Sequence, residues 1–163
     1  MTGLVKFAAT AIAVALMAFA AAPALAATTV DVTLSDMGDM GTMPTDAGLG
    51  MPGANPAKAM MKVEAATASV PAGEVTFNVT NKSAGTIHEM LVVKLVDAKT
   101  QLPYIAAENR VDEDKAGSLG EVSELDPGKS GTLTLTLTPG QYVLFCNIPG
   151  HFAAGMWTVL TVN

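Results

Sequence analysis

The most constraining feature of this sequence is a stretch of strict alternation near its C-terminus. From Gly131 to Thr138 leucine alternates with threonine, so an extended strand there places three leucines on one face and the threonines on the other. Pro139 and Gly140 form a turn directly after it, and the apolar stretch from Gln141 to Cys146 follows. The pattern predicts a strand with one apolar face that turns directly into a second strand.

Other short strands with intervening turns recur along the chain, and the pattern predicts almost no helix. One short helix is expected to begin at Pro103, which suits the first position of a helix. Seven or eight strands at this spacing predict an all-β fold, an antiparallel β-sandwich. The remaining predicted strands are Thr28 to Ser35, a weak segment from Val63 to Val70, Val75 to Thr80 with its valines and Phe77 inward, Ile87 to Val96, Leu119 to Val122, and Trp157 to Val162.

The strand from Ile87 to Val96 departs from simple alternation. If His88 and Val92 point inward, Lys94 would also point into the core. A bulge, or emergence of the strand from the core near Lys94, would resolve this conflict.

The first 26 residues have the pattern of an export signal. Lys6 is followed by the apolar run Phe7 to Ala22, and Pro23 to Ala26 provides a small-residue cleavage site. An uncleaved anchor is the alternative, since Phe7 to Ala26 is just long enough to span a bilayer. Cleavage predicts a periplasmic or secreted protein with no stable membrane insertion.

The mature chain would form one domain. Residues 27–62 are predicted to hold the first strand and a flexible segment rich in Met, Gly and Pro, and residues 63–163 the rest of the domain. Without Lys6, eight basic residues remain against 15 acidic ones, a net charge of −7. This charge and the absence of a basic cluster argue against nucleic acid as a partner, and we expect a monomer.

Cys146 is the single cysteine, so no internal disulfide can form in an oxidising compartment. A buried inert thiol and an intermolecular disulfide are alternatives to a metal ligand. The spacing Cys-x4-His-x4-Met from Cys146 through His151 to Met156, on one loop between two strands, favours the metal. His88 is the only other histidine and supplies the second imidazole. This donor set predicts one copper ion per chain with Met156 as the axial ligand, because structural zinc sites rarely use methionine.

The loop and the region from Val75 to Val93 resemble the cupredoxins, the family of plastocyanin, azurin and rusticyanin, with the loop spacing of the rusticyanin-like branch. The resemblance extends from Val63 onward. It implies a Greek-key sandwich with copper at one end, His88 and His151 bound through Nδ1, and electron transfer through the exposed edge of His151.

Two residues beside the ligands are expected to support them. Glu89 stands where many members of this family have Asn or Ser, and its carboxylate is expected to accept a main-chain N–H and to favour Cu(II) if it is buried and ionised. Asn147 follows Cys146 directly and is expected to help hold the loop.

A methionine series precedes the sandwich strands. Met37, Met40 and Met43 offer thioethers that suit a weak Cu(I) site, although a loop whose methionines cover apolar surface is the alternative.

The main functional prediction is a one-electron carrier, not an enzyme, since the four ligands leave no open position for substrate. A periplasmic copper carrier, chaperone or storage protein is the alternative. Redox partners such as a cytochrome or a copper oxidoreductase are expected to dock near His151, Pro149 and Phe152.

Overall fold

The computed structural model describes residues 27–37, 42–97 and 99–163, so the predicted signal peptide lies outside the described residues. Extended strands dominate it, and no helix among those residues is long and apolar enough to span a membrane. The elements are β1 Thr28–Asp36, a 3-10 turn Pro56–Lys58, β2 Met61–Ala65, β3 Ser69–Val70, β4 Gly73–Asn81, β5 His88–Leu95, β6 Tyr104–Ile105, β7 Arg110–Val111, α1 Glu113–Ala116, β8 Ser118–Leu125, β9 Ser130–Leu137, β10 Gly140–Phe145 and β11 Trp157–Val162.

The large strands form two facing sheets, which confirms the predicted all-β sandwich. One sheet has the order β2-β1-β4-β9 and the other β3-β11-β10-β5-β8. The β9 and β10 strands lie in different sheets, so the predicted turn at Pro139 and Gly140 joins the two layers. Most neighbours are antiparallel, but β1 pairs with β4, and β3 with β11, in parallel.

The main core lies between the two sheets. Val75, Phe77 and Val79 of β4 are fully buried, as the alternation predicts. They pack in one cluster with residues of the opposite sheet, among them Met90, Leu144 and Leu160. Burial of such side chains contributes about 1.5 to 3 kcal/mol each to folding.

The outer face of the five-stranded sheet is also covered. Leu91 and Val93 of β5 and Phe145 of β10 form a second cluster with Leu49 and Phe152, which lie outside the sheets. Because both faces of β5 and β10 are buried, the runs Met90 to Val93 and Tyr142 to Phe145 are apolar without interruption, and alternation cannot show which of their residues face the main core.

Lys94 escapes burial at the end of β5. The pairing register of β5 with β8 shifts between Val92 and Val93. The Lys94 amine donates to the Thr138 hydroxyl at 2.7 Å and to the Pro139 carbonyl at 3.1 Å. The register shift and the exposed position of Lys94 together resolve the conflict that the alternation posed.

The helix predicted at Pro103 is wrong. Tyr104 and Ile105 pair with Arg110–Val111 in a small hairpin, and Asn109 closes its turn with a positive φ of 55°. A single helical turn begins later, at Glu113. Asp112 caps that turn, because its side chain accepts the Lys115 N–H.

Candidate metal centre

Three donor atoms predicted from the sequence lie together at one end of the sandwich. His88 Nδ1 lies 3.2 Å from His151 Nδ1. Cys146 Sγ lies 3.3 Å from His151 Nδ1 and 3.9 Å from His88 Nδ1. His88 and Cys146 are fully buried and His151 is 6% exposed. The antiparallel pairing of β5 with β10 brings together residues that are 58 positions apart in the chain.

The spacing of these atoms fits one bound metal ion. Bonds of about 2.0 to 2.3 Å at trigonal angles place nitrogen and sulfur donors about 3.5 to 3.8 Å from one another. The observed separations, from 3.2 to 3.9 Å, bracket that range. Among the described residues, His88, Cys146 and His151 form the one group of at least three His, Cys, Asp or Glu residues with converging donor atoms. One thiolate with two imidazoles is a donor set that suits copper.

Burial keeps both imidazoles neutral. Desolvation lowers the pKa of His88, and it lowers the pKa of His151 to about 4, with nearby His88 adding to the effect. Neutral imidazoles can bind a metal at pH 7. Burial also raises the pKa of the Cys146 thiol to about 12, although the main-chain N–H groups of Glu89 and Ile148 offset part of the rise. A metal must therefore displace the thiol proton on binding.

The main chain of the loop from Cys146 to Met156 is hydrogen-bonded to itself. The Cys146 N–H donates to the Met156 carbonyl at 3.1 Å, and the Met156 N–H donates to the His151 carbonyl at 3.0 Å. The His151 N–H donates to the Ile148 carbonyl at 2.9 Å. The spacing of the three predicted ligands on this loop is therefore fixed by backbone geometry.

Met156 is fully buried in the main core, in the same cluster as Cys146. Met90 is buried in that cluster as well, two residues beyond His88 on β5. Only Met156 is hydrogen-bonded through its main chain to both Cys146 and His151. A thioether ligand at Met156 stays a proposal, and its connection to the loop favours it over Met90.

The segment of residues 42–59 covers the loop. The Ala47 N–H donates to the Ala153 carbonyl at 2.8 Å, and Trp157 Nε1 donates to the Ala47 carbonyl at 2.9 Å. Gly155 has a positive φ of 92°, and a Cβ there would lie 2.5 Å from Ala59 Cβ. Ala47 is fully buried. Part of the segment that the sequence predicts to be flexible therefore packs against the loop.

The residues that hold His88 were not predicted from the sequence. His88 Nε2 lies 2.8 Å from Ser83 Oγ, and the Asp36 N–H donates to the same oxygen at 3.1 Å. The Ser83 N–H donates to Asn81 Oδ1 at 2.9 Å, and the Asn81 side chain donates to two main-chain carbonyls. Asn81 offered one sequence signal. It follows Val75, Phe77 and Val79 at the next inward-facing position of β4, where a polar residue is unusual.

Glu89 joins the two halves of the centre. Its N–H donates to Cys146 Sγ at 3.5 Å, and its Oε1 accepts the Asn147 N–H at 3.1 Å. The side chain is largely buried, and this desolvation raises the pKa of its carboxyl to about 7. The charges of three further glutamates add to the rise, in the order Glu124, Glu121 and Glu113.

Asn147 links the loop to the β6–β7 hairpin and to α1. Its Oδ1 accepts the Val111 N–H at 2.8 Å, and its Nδ2 donates to the Val111 carbonyl at 3.0 Å. Nδ2 also donates to Glu113 Oε1 at 2.8 Å. These hydrogen bonds hold the Asn147 side chain against the β6–β7 hairpin and α1.

The methionines of the predicted Cu(I) site occupy different surroundings. Met37 is 62% exposed, and its N–H donates to the Met60 carbonyl. Met43 is half-buried, with its methyl group 3.3 Å from where a Cβ at Gly150 would lie. Met40 lies outside the described residues. The Cu(I) site at Met37, Met40 and Met43 therefore stays a prediction.

Phe152 cannot itself contact a docking partner. It is 1% exposed, and its ring packs against Phe145 and Tyr104 at centroid distances of 5.4 and 6.3 Å. Pro149 is exposed and His151 shows a small exposed area. Of the three residues predicted near a docking partner, Pro149 and His151 are therefore the ones that reach the surface, and docking there stays a prediction.

Known proteins with similar sequences and folds point to one family. A family model described as the cupredoxin-like domain matches residues 8–159. Auracyanin-B of Chloroflexus aurantiacus is 33% identical over 92 residues, covering 52% of this chain and 39% of the relative. A solved structure of auracyanin B is 26% identical, with a TM-score of 0.50 over 85% of this chain and 89% of that one. Rusticyanin of Thiobacillus ferrooxidans shares the fold. Its solved structure is 20% identical, with a TM-score of 0.50 over 83% of this chain and 78% of that one.

Proposed function

This chain belongs to the cupredoxin-like domain family, and on that premise we propose that it is a type 1 copper protein that carries single electrons between redox partners. The family assignment supports copper as the cofactor. The identified curated relative is matched over only 39% of its length, so the activity proposed for this chain rests on its own residues.

One observation carries the proposal: two imidazole nitrogens and one thiol sulfur converge within 3.9 Å in a buried site. We assign His88, Cys146 and His151 as the equatorial ligands and Met156 as the axial ligand. Copper held by such a set supplies a Cu(I)/Cu(II) couple with little change in geometry. The four ligands fill the site, so the proposed function is not enzymatic.

The surroundings hold the donor atoms in place. Main-chain hydrogen bonds fix Cys146 against Met156, Glu89 bridges to Asn147, and Ser83 contacts His88. A donor set that cannot rearrange lowers the reorganisation cost of electron transfer.

His151 is the proposed exit for the electron. Its Nδ1 faces the other donors, and the residue is 6% exposed, whereas His88 is fully buried. A partner that docks at His151 and Pro149 would contact the ligand directly. A cytochrome or a copper oxidoreductase is the proposed class of partner, because a small contact area suits rapid release. The signal-like residues 1–26 support a periplasmic or secreted location.

Colour and EPR test the proposal. The chain loaded with Cu(II) is expected to show intense thiolate-to-copper absorption in the visible range and narrow copper hyperfine splitting, both lost in Cys146→Ala. Met90→Leu is the matched control, since it alters a buried methionine outside the loop. A colourless copper-loaded protein would contradict the function.

Copper transport is the second candidate, and Met43 beside Gly150 is the observation that favours it. A half-buried thioether next to the loop could receive Cu(I) before the buried site does. Titration of Cu(I) into Cys146→Ala tests this idea. Tight residual binding that disappears in a Cys146→Ala, Met43→Leu double variant would support transport, and no binding in the single variant would remove it.

A further inference from the structure

In the described part of the chain, the two large sheets end in four edge strands, and three of these carry features that oppose pairing with another chain. β3 has only two residues. β2 carries exposed Lys62 and Glu64, which form an ion pair at 2.9 Å. β8 carries exposed Glu121 and Glu124, and its register with β5 shifts at two places. Short, charged and irregular edges protect a sheet against edge-to-edge association.

The fourth edge strand, β9, has none of these features. Its eight residues, Ser130–Leu137, include no charged residue and no proline. Each of them pairs in regular register with a residue of β4. Among the described residues, β4 is the only strand in the ladder beside β9. β9 is therefore a long, regular edge with one side open to another strand.

The ladder shows which main-chain groups face this open side. The Asn81 N–H donates to the Lys129 carbonyl at 2.9 Å, so the main chain of Lys129 points to β4. Because these groups point alternately to the two sides of an antiparallel strand, every second residue after Lys129 also bonds to β4, and the residues between them point outward. The outward residues are Ser130, Thr132, Thr134 and Thr136, and all of them are exposed.

The outward residues are complementary to themselves in an antiparallel pair of two β9 strands. With a two-fold axis at Leu133, Ser130 lies opposite Thr136 of the second copy. In the same pair Thr132 lies opposite Thr134 of the second copy. Every outward residue then has a hydrogen-bonding partner in the ladder, and each hydroxyl faces another hydroxyl.

β9 already pairs with hydroxyl groups in this way on its inner side. Thr134 Oγ1 lies 2.9 Å from Thr76 Oγ1, and Ser130 Oγ lies 2.9 Å from Thr80 Oγ1, both on β4. Such cross-strand pairs stabilise a sheet. A hydroxyl can donate and accept at once, so these groups can also bond to a second copy.

The nearest charged residue does not oppose the pairing. Lys129 directly precedes β9 and would lie opposite the apolar Leu137 of the second copy. Half-buried Leu133 would meet Leu133 of the second copy on the inner face and bury further apolar area. We propose that β9 is a self-association surface, at which a second copy of this chain extends the four-stranded sheet.

This dimer is expected to be weak. One pair of strands buries less area than a stable interface needs, so the chain should be monomeric in dilute solution and pair at high concentration. The inference is independent of the proposed function, because β9 lies in one sheet and the loop of Cys146 and His151 joins two strands of the other.

Two lysine variants test the surface. Thr134→Lys places a charge in the middle of the open edge, where lysine opposes pairing. Thr76→Lys is the matched control, since it adds the same charge to the same face of the sheet on an inner strand. Both variants lose the one hydrogen bond between these two hydroxyl groups, and both change the net charge equally.

The first readout is sedimentation over a series of protein concentrations. High salt screens the repulsion between two acidic copies, each with a net charge of −6. We expect the natural chain and Thr76→Lys to pass from monomer to dimer, and Thr134→Lys to stay monomeric. A natural chain that remains monomeric throughout would overturn the proposal and leave the edge to an extended segment of another protein. Equal association of all three proteins would overturn it as well.

The second readout is amide hydrogen exchange in the natural chain, and it decides alone if a lysine variant does not fold. In dilute solution the amides of Thr132, Thr134 and Thr136 should exchange faster than those of Leu133 and Leu135, which bond to β4. At high concentration the three threonine amides should become protected. Association without added protection at these amides would place the contact elsewhere and overturn the proposal.

Discussion

Glu89 and Asn147 are bonded to each other across the centre, with Glu89 Oε1 accepting the Asn147 N–H at 3.1 Å over a separation of 58 residues. One residue follows His88 and the other follows Cys146. The carboxylate therefore ties the start of β5, which holds His88, to the loop that holds Cys146, and it lies beside the proposed copper site.

Replacing Glu89 by glutamine should raise the reduction potential. A buried negative charge stabilises Cu(II) over Cu(I), and glutamine removes the charge while its oxygen can still accept the Asn147 N–H. Protein-film voltammetry at pH 9 measures the effect where the carboxyl, with a pKa of about 7, is ionised. Glu121→Gln, at an exposed position, should change the potential less. Equal shifts in both variants would contradict a specific role for Glu89.

Replacing Met156 by leucine should keep the blue colour and raise the potential. The thiolate and imidazoles remain, while loss of a weak axial thioether destabilises Cu(II) more than Cu(I). The swap nearly conserves volume, so the free energy of unfolding should fall by less than about 1.5 kcal/mol. Met90→Leu is the control and should leave the potential unchanged. A shift in Met90→Leu alone would reverse the assignment of the two methionines.

Replacing Gly155 by alanine should lower the free energy of unfolding by about 2 to 5 kcal/mol. The added Cβ would lie 2.5 Å from Ala59 Cβ, and the positive φ of this position is strained for any residue with a side chain. Gly117→Ala is the matched control, since its φ of 70° is also positive but no atom lies within 4 Å of the added Cβ. It should cost about 1 to 2 kcal/mol. Chemical denaturation measures both. Equal losses of stability in the two variants would show that the contact with Ala59 does not limit the space at Gly155.

Asp36 should make the metal-free protein more stable at neutral pH than at low pH. The hydrogen bond from Thr86 holds the pKa of Asp36 below its ordinary value of 3.8, with Ser83 adding to the effect and burial opposing it. A depressed folded pKa contributes stability above the unfolded pKa and loses it as the pH falls through the folded value. The stability gap between the natural chain and Asp36→Asn should therefore shrink between pH 7 and pH 2.5. A stability difference that does not change with pH would contradict the lowered pKa of Asp36.

The sequence predicts the equatorial donors because the choice is so small. With one cysteine and two histidines in the chain, a copper site of this kind can use only His88, Cys146 and His151. The alternating strands, such as β4 with Val75 and Phe77, were predictable because one of their faces meets water. These predictions needed only local patterns.

What the sequence did not show depends on contacts between distant segments. Tyr104 pairs with Val111 instead of beginning a helix, since tertiary contacts override a weak local preference. Ala47 carries no sequence signal, yet it is bonded to Ala153 and Trp157. Ser83 looked like an ordinary loop serine, and its contact with His88 becomes visible only once β1 and β5 are placed.

The 58-residue separation between His88 and Cys146 also bears on how the protein matures. In an unfolded chain Cys146, His151 and Met156 are neighbours and can meet a metal ion early, but His88 joins them only after β5 pairs with β10. Pairing over such separations is slow, because the entropy of closing a long loop is lost before the contacts form. We therefore expect folding kinetics, rather than metal capture, to limit the appearance of the blue colour when copper is added to the denatured chain as refolding begins.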